Sequence, residues 1–255
     1  MNGAGSVRFR FHGFLQTLLR CAHKQGLLDY PVGESPAVKD AIEACGVPHT
    51  EVDLIAISGR CVNFTHRLQP GEELHVYPYD LLTPDVSGIL LHLSSLPEFP
   101  GAFILDVHLG KLARRLRLLG FDCLYRNDLD DVEIIETALT ERRTILTRDR
   151  GILKHSCVCN GLLIRHNRVE KQVVEVLQRY RLHASISPLS RCPLCNGCLT
   201  IVDKSRIAHL LAEKTYRFYS DFKQCECCGK VYWPGAHYEN IACWIAGLKK
   251  VNSRK

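Results

Sequence analysis

Four aspartates stand where short apolar runs end. Asp106 closes "FILD", Asp128 and Asp131 follow "DCLYRN", and Asp149 follows "TILT" in the stretch "TILTRDRGILKH". In an open parallel sheet the C-terminal ends of the strands face a common crevice, so three such strands would deliver carboxylates to one edge. Carboxylates brought close repel one another and stay ionised only when cations neutralise them. Hard oxygen donors favour Mg²⁺ or Mn²⁺, which activates water and stabilises the leaving oxygen of a phosphodiester. Asp106 and Asp149 are the expected ligands, joined by Asp128 or Asp131. Each acid also has a plainer reading. Asp128 can cap the helix that follows, Asp131 can answer the helix dipole from the first turn, and Asp149 can pair with Arg148 or Arg150. Asp106 is the hardest to set aside, because an acid in the next apolar position of a buried strand needs a partner or a ligand.

A basic rim around an acidic centre suits cleavage of a nucleic-acid backbone. "HLGKLARRLRLLG" places Leu109, Leu112, Ala113, Leu116 and Leu119 on one helical face, with Lys111, Arg114, Arg115 and Arg117 among the rest and Gly120 as the stop. Gly110 keeps the first turn slim, so that its amides and Lys111 are available to a phosphate. Arg142, Arg143, Arg148, Arg150, Lys154, Arg165 and Arg168 extend the rim if they fold nearby. Taken singly, Arg115 and Arg117 read as solvated. Glu133 and Glu136, one turn apart, also read as a solvated helix face.

Cysteine spacing carries a second kind of chemistry. Cys192 and Cys195, then Cys225 and Cys228, form two C-x₂-C knuckles, the pattern of a structural Zn²⁺ site. Cys228 is preferred to Cys227 because it has the required two intervening residues, and Gly197 and Gly229 supply permissive backbone. Cys198 and Cys227 are alternative thiolates. Between and after the knuckles, Lys214 and Arg217 lie among Tyr216, Phe218, Tyr219, Tyr232 and Trp233, a mixture that stacks bases and holds phosphates or else fills a small core.

The elements that position these residues fall into blocks. Residues 1–82 read as an α+β unit of strand, helix, strand and hairpin, in which "SPAVKDAIEACGVP" shows a Ser cap, Pro at the first helical position and a closing Gly. Residues 83–101 read as a linker rich in Pro, Ser and Gly. Residues 102–186 alternate strand and helix, the mark of a parallel sheet flanked by helices, and residues 187–255 read as a zinc ribbon and a Lys-rich tail.

At 255 residues, 46% hydrophobic and 24% charged, the chain has ordinary globular usage, and its net charge of +6 admits an anionic partner if clustered. Thirteen cysteines without a signal-peptide pattern imply reduced thiols and metal ligands. No apolar run reaches the roughly 20 residues that span a bilayer, so a cytoplasmic protein without membrane partners is expected.

Several motifs resemble a known family. "ILDVHLGKLARRLRLLGFD", "YRNDLDD", "TILTRDR", "PLSRCPLCNG" and "FKQCECCGKVYW" occur in the order of the Mut-seven C-terminal ribonucleases, relatives of the PIN-domain nucleases. "ACGVPHTEVDLIAISGRCV" and "LQPGEELHVYPY" resemble the ubiquitin-like β-grasp domain attached to that family, which is similar to small sulfur carriers. Those carriers end in Gly-Gly, whereas Tyr79-Asp80-Leu81 runs on into another domain. The resemblance implies a PIN-like α/β fold with a C-terminal zinc ribbon, and metal-dependent RNA cleavage at acids matching Asp106, Asp128, Asp131 and Asp149. "GLLIRH" ends without a fourth-strand acid, and Asn167 is the neutral candidate there. Two other readings stand beside this one. The chain is then a zinc-ribbon RNA-binding module with a vestigial acidic site, or an adaptor that the β-grasp domain recruits to a protein partner in RNA processing or translation.

Overall fold

The computed structural model describes residues 5–20, 26–33, 35–81, 92–93 and 101–250. Alternation of apolar and basic residues builds strand β1 (Ser6–Phe11), which buries Val7, Phe9 and Phe11. Strands β2 (Leu27–Pro31), β3 (Val52–Ile57), β4 (Arg60–Val62) and β5 (Glu73–Pro78) complete a mixed sheet of order β2-β1-β5-β3-β4. β1 and β5 run parallel, with Phe9 opposite Leu74 and Phe11 opposite Val76, and the other neighbours are antiparallel. Helix α1 (Val38–Cys45) buries Val38, Ala41, Ile42 and Cys45 and stops at Gly46, whose φ of 112° suits glycine. This is a β-grasp-like sheet.

Two details differ from the sequence expectation. No sequence pattern marks β2, because an edge strand half open to water carries little apolar alternation. Ser35 and Pro36 precede the helix rather than start it: Ser35 has φ 48° and donates its hydroxyl to the Leu68 carbonyl at 2.7 Å.

Next in the chain come β6 (Ala102–Leu105), α2 (Gly110–Leu118), β7 (Asp122–Leu124), α3 (Asp131–Thr140), β8 (Thr144–Thr147), α4 (Arg150–Leu153), β9 (Gly161–Leu163) and α5 (Val169–Arg179). β6 pairs in parallel with β7, and β8 in parallel with β9. Phe103, Ile104, Leu105, Ile145 and Leu146 are buried, as strands covered on both faces require. This is a parallel α/β sheet domain. A small antiparallel sheet of order β10-β11-β12 follows, from β10 (Leu199–Ile201), β11 (Lys223–Cys225) and β12 (Val231–Tyr232), with α6 (Glu213–Phe218) before β11 and α7 (Ala236–Lys250) last. Among the described residues no helix is long and apolar enough to cross a membrane.

By contacts the chain forms two compact units, one of residues Met1–Glu98 with Leu139–Leu163, the other of Phe99–Ala138 with Ile164–Lys255. The stretch that carries Asp149 thus packs with the β-grasp sheet, a grouping that a division at residues 82, 101 and 186 does not contain. Most of the expected linker lies outside the described residues.

Polar contacts inside the first unit show how that packing is held. Glu51, fully buried, accepts the Leu163 amide at 2.7 Å, which covers an edge donor of β9. The His49 ring lies between Glu43 Oε1 at 2.6 Å and the Val158 carbonyl at 2.8 Å. Glu51→Ala is expected to leave the Leu163 amide without its acceptor, at a cost of about 2 kcal/mol, while Glu51→Gln retains a carbonyl and loses less. Hydrogen exchange at Leu163 checks this. Protection should fall in the alanine variant, and unchanged protection would refute the contact's importance.

Candidate functional site

The ribbon gathers the four expected cysteines. The sulfurs of Cys192, Cys195, Cys225 and Cys228 all lie within 4.8 Å of one another. Cys192 and Cys228 are 3.7 Å apart, Cys195 and Cys225 3.4 Å. These separations are far beyond a disulfide and near the edge of about 3.8 Å expected for thiolates tetrahedral about zinc. The donor set therefore fits a structural zinc site with no open position. Cys198 and Cys227 are exposed and stand outside the cluster. Gly197 is required by a close approach, since a Cβ there would meet Cys227 Cβ at 2.7 Å and Cys225 Sγ at 2.9 Å; Gly229 has φ 71°.

Burial pushes the Cys192 thiol up, but hydrogen bonds from the Tyr232 hydroxyl at 3.0 Å and from the Cys195 and Leu194 amides outweigh it and hold the group down at about 6. The ribbon's buried core is little more than Cys192, Leu199 and Cys225 with Leu189, Cys195 and Tyr232 against them. So small a core would draw much of its stability from a metal bound at these sulfurs.

Polar side chains fasten the ribbon to β7. Arg117 was expected to be solvated, yet it is 4% exposed and donates to the Cys123 carbonyl at 2.9 Å and the Leu194 carbonyl at 2.7 Å. Burial lowers its pKa, against the pull of the neighbouring thiols and Asp122. Asn196, just after the first knuckle, accepts the Cys123 amide at 3.0 Å and donates to Asp122 Oδ1 at 2.7 Å. Arg191 pairs with Asp122 at 3.2 Å. Sequence reading passed over Asn196; the signal was its type directly after a C-x₂-C, where its φ of 70° is tolerated.

Asp106 follows β6 at 5% exposure, and its Oδ1 accepts the His108 amide at 2.8 Å as the cap of the short turn Val107–Leu109 that leads into α2. Asp128, in the loop after the adjacent β7, is exposed and pairs with Arg126 at 2.9 Å. That hydrogen bond lowers its pKa. Asp128 does not cap α3. Asp130 does, accepting the Glu133 amide at 2.8 Å while Glu133 Oε2 accepts the Asp130 amide at 3.1 Å, a reciprocal capping box that also accounts for Glu133. Asp131 begins α3 in an exposed position. In the other unit, exposed Asp149 caps α4 through the Gly151 amide at 2.6 Å, and its own amide donates to Thr147 Oγ1 at 2.8 Å. Among the described residues, the four thiols are the one group of three or more potential ligand atoms so closely spaced.

Of the basic candidates, Lys111, Arg114 and Arg148 are exposed. Arg150 donates to the Leu18 carbonyl and Lys154 to the Glu43 carbonyl, both at 2.6 Å, so these two serve the packing of the first unit. Arg143 pairs with Glu141, and Arg165 with Glu175, a 3% exposed acid of α5 that amphipathic patterning did not single out. Gly110 is small because the Tyr125 hydroxyl crosses it, 2.6 Å from where a Cβ would stand, on its way to the Val107 carbonyl. Lys214 and Arg217 sit on α6, which buries no residue; Arg217 lies 5.9 Å over the Phe218 ring.

Two outcomes follow. Purified protein should carry about one zinc per chain, lost in Cys192→Ser and Cys225→Ser but kept in Cys198→Ser and Cys227→Ser, as read by elemental analysis. Zinc retained without Cys192 would refute the ligand assignment. Asn196→Gly keeps the left-handed backbone and removes only the side chain, so it should cost about 1–3 kcal/mol through the orphaned Cys123 amide, visible as faster exchange there. Unaltered exchange would dismiss the Asn196 tie.

A family model described as Mut7-C RNAse domain matches residues 101–245, and one described as Mut7-C ubiquitin matches residues 4–81. Curated proteins and solved structures returned no match. With more than half of its 255 residues matched by the first model, and the β-grasp-like sheet and four-cysteine ribbon where the motifs place them, the chain belongs to the Mut7-C RNase family and carries that family's ubiquitin-like domain at its N-terminal side.

Proposed function

We propose that the protein is a metal-dependent ribonuclease in which cleavage depends on Asp106. The observation that carries this reading is the position of Asp106: a carboxylate at 5% exposure on the C-terminal end of a parallel strand, followed directly by a helix whose first turns present Lys111 and Arg114 to solvent. Family membership supplies the substrate class, RNA.

In this reading Asp106 is the principal oxygen donor to Mg²⁺ or Mn²⁺, a hard cation suited to carboxylates. Asp131, or Asp128 on leaving Arg126, would join it from beyond β7. When bound, the ion lowers the pKa of water and offsets charge on the phosphodiester. The chain's own part is to bind and orient. Lys111 and Arg114 attract the RNA backbone, and Asp106, held by the His108 amide, keeps a fixed direction.

A second reading has its own support. Asp106 and Asp149 each accept the amide two residues ahead, as purely structural capping residues do. A zinc-ribbon RNA binder with vestigial acids would look the same at these two positions. The nuclease reading predicts that end-labelled RNA is cut by the full chain with Mn²⁺ or Mg²⁺ and not without. Loss of outer-shell partners alone costs about 10- to 100-fold, so Asp106→Asn should lose about 100-fold or more. Asp149→Asn, run in the same assay, tests that acid separately. Full activity in Asp106→Asn would end this reading, and RNA binding without cutting by the wild-type chain would favour the second.

A further inference from the structure

Between α2 and the ribbon lies a cavity of about 790 Å³. Lys111, Arg114 and Arg115 of α2 face it, as do Lys230, Tyr232 and Trp233 of the ribbon, and among the described residues no carboxylate lines it. Positions 111, 114, 115 and 118 follow helical spacing, so one side of α2 makes a wall about 10 Å long. Leu112, Ala113 and Leu116, on its other side, are buried.

Cations alone would accept any polyanion, and the rings narrow the choice. Tyr219 and Tyr238 line the cavity with Tyr232 and Trp233. Trp233 keeps 37% exposure, and Tyr232 is fixed by the 3.0 Å hydrogen bond between its hydroxyl and Cys192 Sγ. Exposed rings beside cations stack unpaired bases and hold the phosphates between them; a duplex keeps its base faces in its own stack. An acidic peptide would answer the cations and leave four aromatic side chains without a partner. Arg115 contributes less, since its guanidinium already lies 5.1 Å over the Trp244 ring.

We propose that this cavity binds a single-stranded segment of RNA, with bases stacked on Tyr232 and Trp233 and phosphates held by Lys111, Arg114 and Lys230. The proposal rests on RNA as the substrate class and adds to it both the strandedness and the path. Because α2 begins directly after the turn capped by Asp106, a strand laid along this face of the helix leads toward that carboxylate.

The test is binding of a fluorescent oligoadenylate to zinc-loaded full-length protein without Mg²⁺ or Mn²⁺, beside a matched RNA duplex and a polyglutamate competitor. Trp233→Ala should weaken single-strand affinity about tenfold or more, the scale of a lost stacked base, and Trp233→Phe should restore most of it. Arg114→Ala and Lys230→Ala should each reduce the slope of log affinity against log salt by about 0.7. Zinc content, measured for every variant, separates a lost contact from a lost ribbon. The proposal is overturned if these variants bind as the wild type does, if the duplex binds equally and responds equally, or if polyglutamate displaces the RNA at similar concentration. Failure here is distinct from failure of the nuclease reading. Asp106-dependent cutting with binding insensitive to Trp233 removes this site alone, whereas Trp233-sensitive binding without any cutting removes the nuclease and leaves the site.

Discussion

Four thiolates confined within 4.8 Å cannot persist as anions without a cation, and much of the second unit depends on that constraint. The ribbon's small core is built from the same sulfurs, so binding of a metal there would couple the sheet to the knuckles. From the cluster the order spreads outward. Cys192 holds the Tyr232 hydroxyl, Arg117 links the Leu194 carbonyl to β7, and Asn196 satisfies the edge amide of Cys123. α2 serves both sides of this arrangement. Its apolar residues and Arg117 are buried, and its remaining cations face open space beside the ribbon's aromatic rings. A metal held by these four sulfurs, with no open position for chemistry, would thereby position the side chains proposed to meet RNA.

The first unit follows a different logic. Its β-grasp sheet has no Gly-Gly tail to present, and several of its polar groups take partners in the stretch Leu139–Leu163. Glu51, His49, and the Glu43 and Leu18 carbonyls each take a partner there. Buried polar groups matched this closely fix one register, because any slip leaves several of them unsatisfied at once. The ubiquitin-like domain is therefore a structural neighbour of the segment that carries Asp149.

Features written in local patterns were legible in the sequence. The two C-x₂-C knuckles name their own ligands, the apolar period of α2 marks the residues found buried, and Gly46 and Gly120 stop helices at positive φ. The acid after "FIL" is buried, as its place in an apolar run required. What stayed illegible depends on contacts between distant residues. Arg117 looks like any helix arginine until the Leu194 carbonyl arrives from far along the chain. Asp130, rather than Asp128, caps α3 because the first helical residue lies one position past Asp130, and boundaries of that kind escape pattern reading. Arg150 and Lys154 read as a rim for phosphate, and only the packed β-grasp domain shows the carbonyls they already hold. The cavity beside α2 has walls from five separate stretches of sequence, so no window along the chain contains it.

As a metal ligand, Asp106 would do more than cap a turn. Electron paramagnetic resonance of Mn²⁺ added to zinc-loaded full-length protein distinguishes the two roles, with the Asp106→Asn variant alongside. A bound Mn²⁺ population is expected in the wild type and lost in the variant, while zinc content and fold remain. Equal Mn²⁺ binding by both proteins, or none by either, would contradict the metal-binding role.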